Sequence, residues 1–368
     1  MALLKYQCPN CDGPLGFDPG TQEIVCPYCG SMFSVEALQS MDEGPAANQD
    51  QEPESAGWDY HGGGWGPNEQ QGLAVYTCKS CAGEIVGDET LGATSCPFCG
   101  NQVVITSVFT GTLRPDLVIP FKLDKNAAVA SLQKHYGKNK LLPATFRDEN
   151  HLEEVKGVYV PFWLFDADAD ARIEYSTTKV RHWSDRKYVY TETSNYDVIR
   201  EGVAGFCRVP VDGSKAISDE LMESIEPYSM ADAVDFRPAY LAGFFANKYD
   251  VSADESAGRA NERIRDSVTK EFAKTVTGYH SVKTKSTDIT LRNREARYAL
   301  LPVWLLSTSW QGENFLSAMN GQTGKFVGNL PYDAKAKQLW FRKIFGVAAA
   351  VLVILPQIVI FLLKGGLR

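Results

Sequence analysis

No lysine or arginine occurs between residues 41 and 70, a stretch that holds Asp42, Glu43, Asp50, Glu52, Glu54, Asp59 and Glu69. The chain's formal charge of −8 is therefore concentrated in one segment. The rest is close to neutral, so global acidity says little about partners. Histidine is scarce: His61, His135, His151, His182 and His280 are all there are. None has the spacing of a metal-ligand pair or a catalytic triad. No serine or cysteine lies in a recognisable nucleophile motif. Gly321-Gln322-Thr323-Gly324-Lys325 approaches a phosphate-binding loop. However, Met319 stands where the earlier glycine is required, and Phe326 replaces the hydroxyl that would hold Mg²⁺. Asn320-Gly321 reads instead as a hairpin turn. With no such loop and no acid–base constellation, the expectation is that the chain is not an enzyme. The N-terminal residues before Cys8 leave no room for a signal peptide, which places the chain in a reducing compartment.

Cysteine is where the sequence is most informative. Cys8, Cys11, Cys26 and Cys29 form one frame, and Cys78, Cys81, Cys96 and Cys99 form a second, each spaced C-x2-C-x14-C-x2-C. Two residues between cysteines let one tight turn aim both thiolates at one ion, and two such turns complete a tetrahedron. Two Zn²⁺ ions with these eight ligands are expected. Iron takes the same ligand set, and paired disulfides are disfavoured in a reducing compartment. All-cysteine coordination leaves no position for water or substrate, so the ions should be structural. Each ribbon is too short for a core of its own, so metal should supply its folding energy. The ninth cysteine, Cys207, reads as a small buried hydrophobe.

The organisation expected is α+β. Ribbons occupy 1–37 and 73–107, joined by a flexible acidic Gly/Pro-rich linker at 38–72. An α+β domain follows at 108–333, then a basic segment at 334–343 and a transmembrane helix at 344–363. In the linker, Trp58, Tyr60 and Trp65 read as decoration or as docking points. Within the larger domain, Asp124 caps a helix from Lys125, and a long amphipathic helix starts at Ser252. Pro161-Phe162-Trp163-Leu164 returns as Pro302-Val303-Trp304-Leu305, which raises the option of two related halves. Asp166, Asp168 and Asp170 alternate on a strand and read as a solvated face rather than a cation site. Basic residues gather at Lys179–Lys187 and at Arg259, Arg263, Arg265, Lys270 and Lys274. The second group interleaves with acids, as on a solvated helix face.

Residues 344–363 carry no charge, and as a helix they would rise about 30 Å, the thickness of a bilayer core. Lys335, Lys337, Arg342 and Lys343 precede this run. The positive-inside rule then predicts a single-pass protein of the cell membrane with its N-terminal bulk in the cytoplasm.

Segments VIPFKLDKNAA, LLPATF, GVYVPFWLFD, VPVDGSKAISDELMESIEPY, YLAGFFANKYDV and AMNGQTGKFVGNLP resemble a family of bacterial zinc-ribbon membrane proteins. Its members are encoded beside phage-shock protein A and a flotillin-like, virion-core-like partner, and often carry replication-restart-helicase or transcription-factor labels. The resemblance implies a complex that recruits envelope-stress proteins and implies no catalytic residue. The expected function is a membrane-anchored adaptor docking phage-shock-protein-A-like and flotillin-like partners. The alternative is a nucleic-acid-binding ribbon protein that tethers DNA or replication proteins.

Overall fold

The computed structural model describes residues 15–34, 58–60, 62–66, 69–70, 73–88, 94–108, 113–139 and 141–365. The first ribbon contributes a small antiparallel sheet of β1 (Gly16–Asp18), β2 (Glu23–Val25) and β3 (Met32–Phe33). A second sheet of thirteen strands dominates. It starts with β4 (Asp59–Tyr60), β5 (Leu73–Cys78), β6 (Glu84–Asp88), β7 (Thr94–Ser95), β8 (Gln102–Val108) and β9 (Leu117–Val118). Helices α1 (Lys125–Lys138) and α2 (Glu149–Leu152) lead into β10 (Lys156–Ser184) and β11 (Val189–Asp212). Then come α3 (Asp219–Ile225), β12 (Val234–Asp235), β13 (Phe245–Asn247) and α4 (Ala253–Lys274). The chain closes with β14 (Ser281–Trp310), β15 (Glu313–Asn320), β16 (Phe326–Gly328) and α5 (Ala334–Gly365).

Among the described residues strand outweighs helix, 43% against 25%, so the expected α+β class is corrected to mainly β. The reason lies in three strands of 29, 24 and 30 residues, β10, β11 and β14. Their sequences read as several short strands, but they run unbroken as one antiparallel ribbon. At about 3.3 Å per residue, β10 is roughly 95 Å long.

The Pro-x-Trp-Leu repeats fall on β10 and β14, which pair with each other. Each long strand follows a helix, and each helix follows a short strand: β9–α1–β10 and β13–α4–β14. The short strands exchange, since β9 pairs in parallel with β14 and β13 with β10. The tryptophans exchange as well. Trp163 Nε1 donates to the Val251 carbonyl at 2.9 Å, and Trp304 Nε1 donates to the Leu123 carbonyl at 3.1 Å. Val251 and Leu123 directly precede the N-caps Ser252 and Asp124, whose side chains accept from the first turns of α4 and α1. Each half thus seats its tryptophan against the start of the other half's helix.

The central strands bury both faces, which explains the run Gly157–Phe165 without polar residues. Tyr159, Trp163, Phe165, Leu300 and Trp304 meet α1 and α4 through Leu132, Tyr136, Ile264 and Val268. Val158, Val160, Phe162, Leu301 and Leu305 face the other way, toward Met222 and Ile225 of α3. Cys78, Cys96 and Phe98 of the second ribbon belong to this second layer.

Helix α5 covers the expected span at 344–363, but among the described residues no helix is long and apolar enough to cross a membrane. Pro356 lies inside it. The single-pass helix is therefore corrected. With it go the membrane localisation, the cytoplasmic placement of the N-terminal bulk and the single-span membrane contact.

One buried carboxyl gives a pH prediction. Asp212 is 7% exposed; its Oδ1 accepts from Ser214 N at 3.2 Å, and its Oδ2 has no partner. Burial, with the nearby charge of Asp219, pushes its pKa up to about 8. The folded chain then keeps a proton that the unfolded chain loses near pH 4, so stability falls as pH rises from about 4 to about 8. Asp212→Asn removes that dependence. Thermal melts should show the variant above the parent at pH 8, with the gap closing toward pH 4.

Candidate metal centre

The second cysteine frame is assembled by two turns of the same geometry. After β5, Ala82 N donates to Cys78 O at 2.8 Å; between β7 and β8, Gly100 N donates to Cys96 O at 2.9 Å. Both closing residues have left-handed backbone, φ 57° at Ala82 and 77° at Gly100. Glycine takes that conformation freely, whereas Ala82 takes it against its Cβ. The turns bring the four sulfurs within 4.8 Å of one another. Cys78 Sγ lies 3.5 Å from Cys99 Sγ, and Cys81 Sγ 3.7 Å from Cys96 Sγ. Zinc–sulfur bonds of about 2.3 Å in a tetrahedron set sulfurs about 3.8 Å apart, so the donor set fits the ion. The four thiols of this frame are free, with no disulfide among them.

The surroundings split the four thiols. Burial raises Cys96 and Cys81. Burial also works against ionising Cys99, but donors from Asn101, backbone and side chain, outweigh it and bring that thiol down to about 7. A bound cation then favours ionising the rest.

Sequence reasoning missed Lys156. From β10 its ammonium reaches both the carbonyl and the hydroxyl of Ser95, next to Cys96. It also lies 5.7 Å from the Phe245 ring. Four thiolates on Zn²⁺ carry a net −2, and this ammonium is a cation held close to them. Nothing in local sequence signals it, because Lys156 is 57 residues from the nearest ligand, Cys99. Lys156→Ala is expected to speed zinc transfer to a chromogenic chelator about tenfold while the far-UV spectrum stays unchanged.

In the first frame, Cys26 is buried and Cys29 exposed. Gly30 N donates to Cys26 O at 2.9 Å with Gly30 at φ 71°, the same turn as Cys96–Gly100. Cys8 and Cys11 lie outside the described residues. This ribbon is tied to the sheet domain by Phe17 N to Ala242 O at 3.0 Å and Gln22 Nε2 to Phe121 O at 2.7 Å.

Other candidates resolve into structure. Asp166 accepts from Arg208 N, Asp168 from Asn293 Nδ2 at 2.7 Å, and Asp170 pairs with Arg292 at 2.8 Å. The three carboxylates meet separate donors and do not converge on a cation. Arg259 and Arg263 pair with Asp219 and Glu223 of α3 and with Glu226 at its C-cap. Cys207 is exposed, not buried as expected, because it lies on the open face of β11. The 321–325 loop is a hairpin turn in which Asn320 Oδ1 accepts from Gln322 N and Thr323 N, each at 2.9 Å. Gly321 is required there by close approach: a Cβ would lie 2.6 Å from Phe121. Trp58, Tyr60 and Trp65 are docked rings, packing edge-on against Phe165, Trp163 and Phe236.

The TFIIB zinc-binding family matches residues 6–46, which contain the whole first frame. The chain is also similar to the uncharacterized protein YdjG of Bacillus subtilis (strain 168), 31% identical over 344 residues, 94% of this chain and 95% of that one. The chain belongs to the YdjG family. YdjG aligns along nearly its whole length, so the likeness extends from the ribbons through the sheet domain. No solved structure matches.

Proposed function

We propose that this chain is a non-enzymatic zinc-ribbon adaptor, with one structural Zn²⁺ per ribbon, that docks protein partners in envelope stress. The observation that carries the reading is the second metal centre. Its four ligands are all protein thiols, and two of them, Cys78 and Cys96, are buried in the layer that also holds Val158, Val160 and Leu305. A closed centre leaves no coordination position for substrate, and its seating in the core fixes an outer surface rigidly. Such a surface suits docking. The family resemblance supplies the partner class, phage-shock-protein-A-like proteins.

The test is calorimetric titration of a purified phage-shock-protein-A-like protein into the zinc-loaded full chain and into its Cys78→Ser/Cys81→Ser variant. Binding by the parent that weakens at least tenfold in the variant supports the adaptor. Absence of binding, or equal binding by both, contradicts it.

A further inference from the structure

The third strand of the long ribbon stops before the other two. Register between β10 and β14 ends at Thr178 and Ser281, while β10 and β11 stay paired to Ser184 and Val189. A two-stranded hairpin therefore projects about 20 Å farther. Its turn is held firmly. Asp185 Oδ1 accepts from Lys187 N at 2.7 Å and Tyr188 N at 2.8 Å, and its Oδ2 accepts from the Tyr190 hydroxyl at 2.9 Å.

The hairpin has rings and cations that no core contact explains. Trp183 and Tyr190 stack across the strands at 5.5 Å and 13°, yet stay 46% and 39% exposed. Arg181 lies 5.6 Å from the Trp183 ring, and Lys179 lies 5.0 Å from Tyr279 and 5.6 Å from Tyr196. By strand alternation, Lys179, Arg181, Trp183, Tyr190 and Tyr196 share one face. Arg186 and Lys187 add two cations at the turn. Against these four fixed cations stand Glu192 and Asp185, the latter engaged in the turn. In a chain of net −8 this is a local reversal of sign.

We infer that this hairpin binds single-stranded nucleic acid. Exposed rings give sequence-tolerant stacking platforms for unpaired bases, and flanking lysine and arginine neutralise the phosphates between them. A lipid surface fits less well. Val189 is the one strongly exposed aliphatic on the hairpin among the described residues, which offers little apolar area for insertion. The inference goes beyond the adaptor reading and does not depend on it. In the other basic group Arg259 and Arg263 are held by Asp219, Glu223 and Glu226, whereas Lys179, Arg181, Arg186 and Lys187 of the hairpin are exposed.

Fluorescence anisotropy of labelled dT20 with the zinc-loaded full chain tests it. The parent should bind at 50 mM salt and lose about 50-fold in affinity by 200 mM, as for roughly four phosphates on a single strand. Trp183→Ala/Tyr190→Ala should weaken binding at least tenfold. Arg181→Glu/Lys187→Glu should weaken binding and flatten the salt dependence. These side chains are exposed, so both variants should melt with the parent. The inference is overturned if dT20 does not bind or if both variants bind like the parent. It is equally overturned if binding is lost only on zinc chelation, or if the hairpin variants change binding to phosphatidylglycerol vesicles and not to dT20.

Discussion

A chain carrying Cys78→Ser and Cys81→Ser should lose one zinc ion and melt at least 10 °C below the parent. Structural zinc contributes about 10–16 kcal/mol in zinc-finger peptides. Here the second ribbon shares its core with the sheet domain, so the damage spreads. Cys96 and Phe98 pack with Val158 and Leu305, and β6 bonds directly to β13. Without the ion, buried Cys96 and half-exposed Cys99 have no cation to share, and β5–β8 lose the clamp that joins their turns. Limited proteolysis should then cut first between residues 73 and 108. A variant that keeps both its melting temperature and its protease resistance would show that packing alone holds this ribbon.

Trp163→Ala should cost about 3–5 kcal/mol, the range for emptying a large buried ring site. The ring is 1% exposed and lies within 5.4–5.6 Å of Tyr60, Tyr249 and Tyr298. Its indole N–H is also the donor to Val251. Trp163→Phe separates the two contributions, since it restores much of the volume and leaves the carbonyl unpaired, at about 1–3 kcal/mol. Trp304→Phe should behave alike, because Trp304 holds the start of α1 as Trp163 holds the start of α4. Chemical denaturation of the three variants checks both claims. Equal stability of parent and Trp163→Phe would remove the exchanged tryptophans from the account of what joins the halves.

The sequence was legible where spacing alone determines geometry. The C-x2-C-x14-C-x2-C spacing foretold the second cysteine cluster, and Asp124 and Ser252 marked the true starts of α1 and α4. The Pro-x-Trp-Leu echo was visible, but its meaning was not, because the partners of Trp163 and Trp304 lie 88 and 181 residues away. The long strands escaped for a related reason. Asp166–Asp170 and Lys179–Ser184 look like separate polar segments until pairing with β11 shows them to be one strand. Trp58, Tyr60 and Trp65 sit in glycine-rich acidic sequence, and only tertiary contact distinguishes a docked ring from a free one. At the C-terminus, hydropathy registered an uncharged run, and hydropathy alone does not establish a helix able to cross a bilayer.

X-ray absorption at the zinc edge, on the full chain with metal counted per chain, tests the central claim most directly. The account predicts four sulfur neighbours at about 2.3 Å with no oxygen or nitrogen in the first shell. A light-atom ligand near 2.0 Å in place of a sulfur would contradict it, because an open position would make the ion available for chemistry.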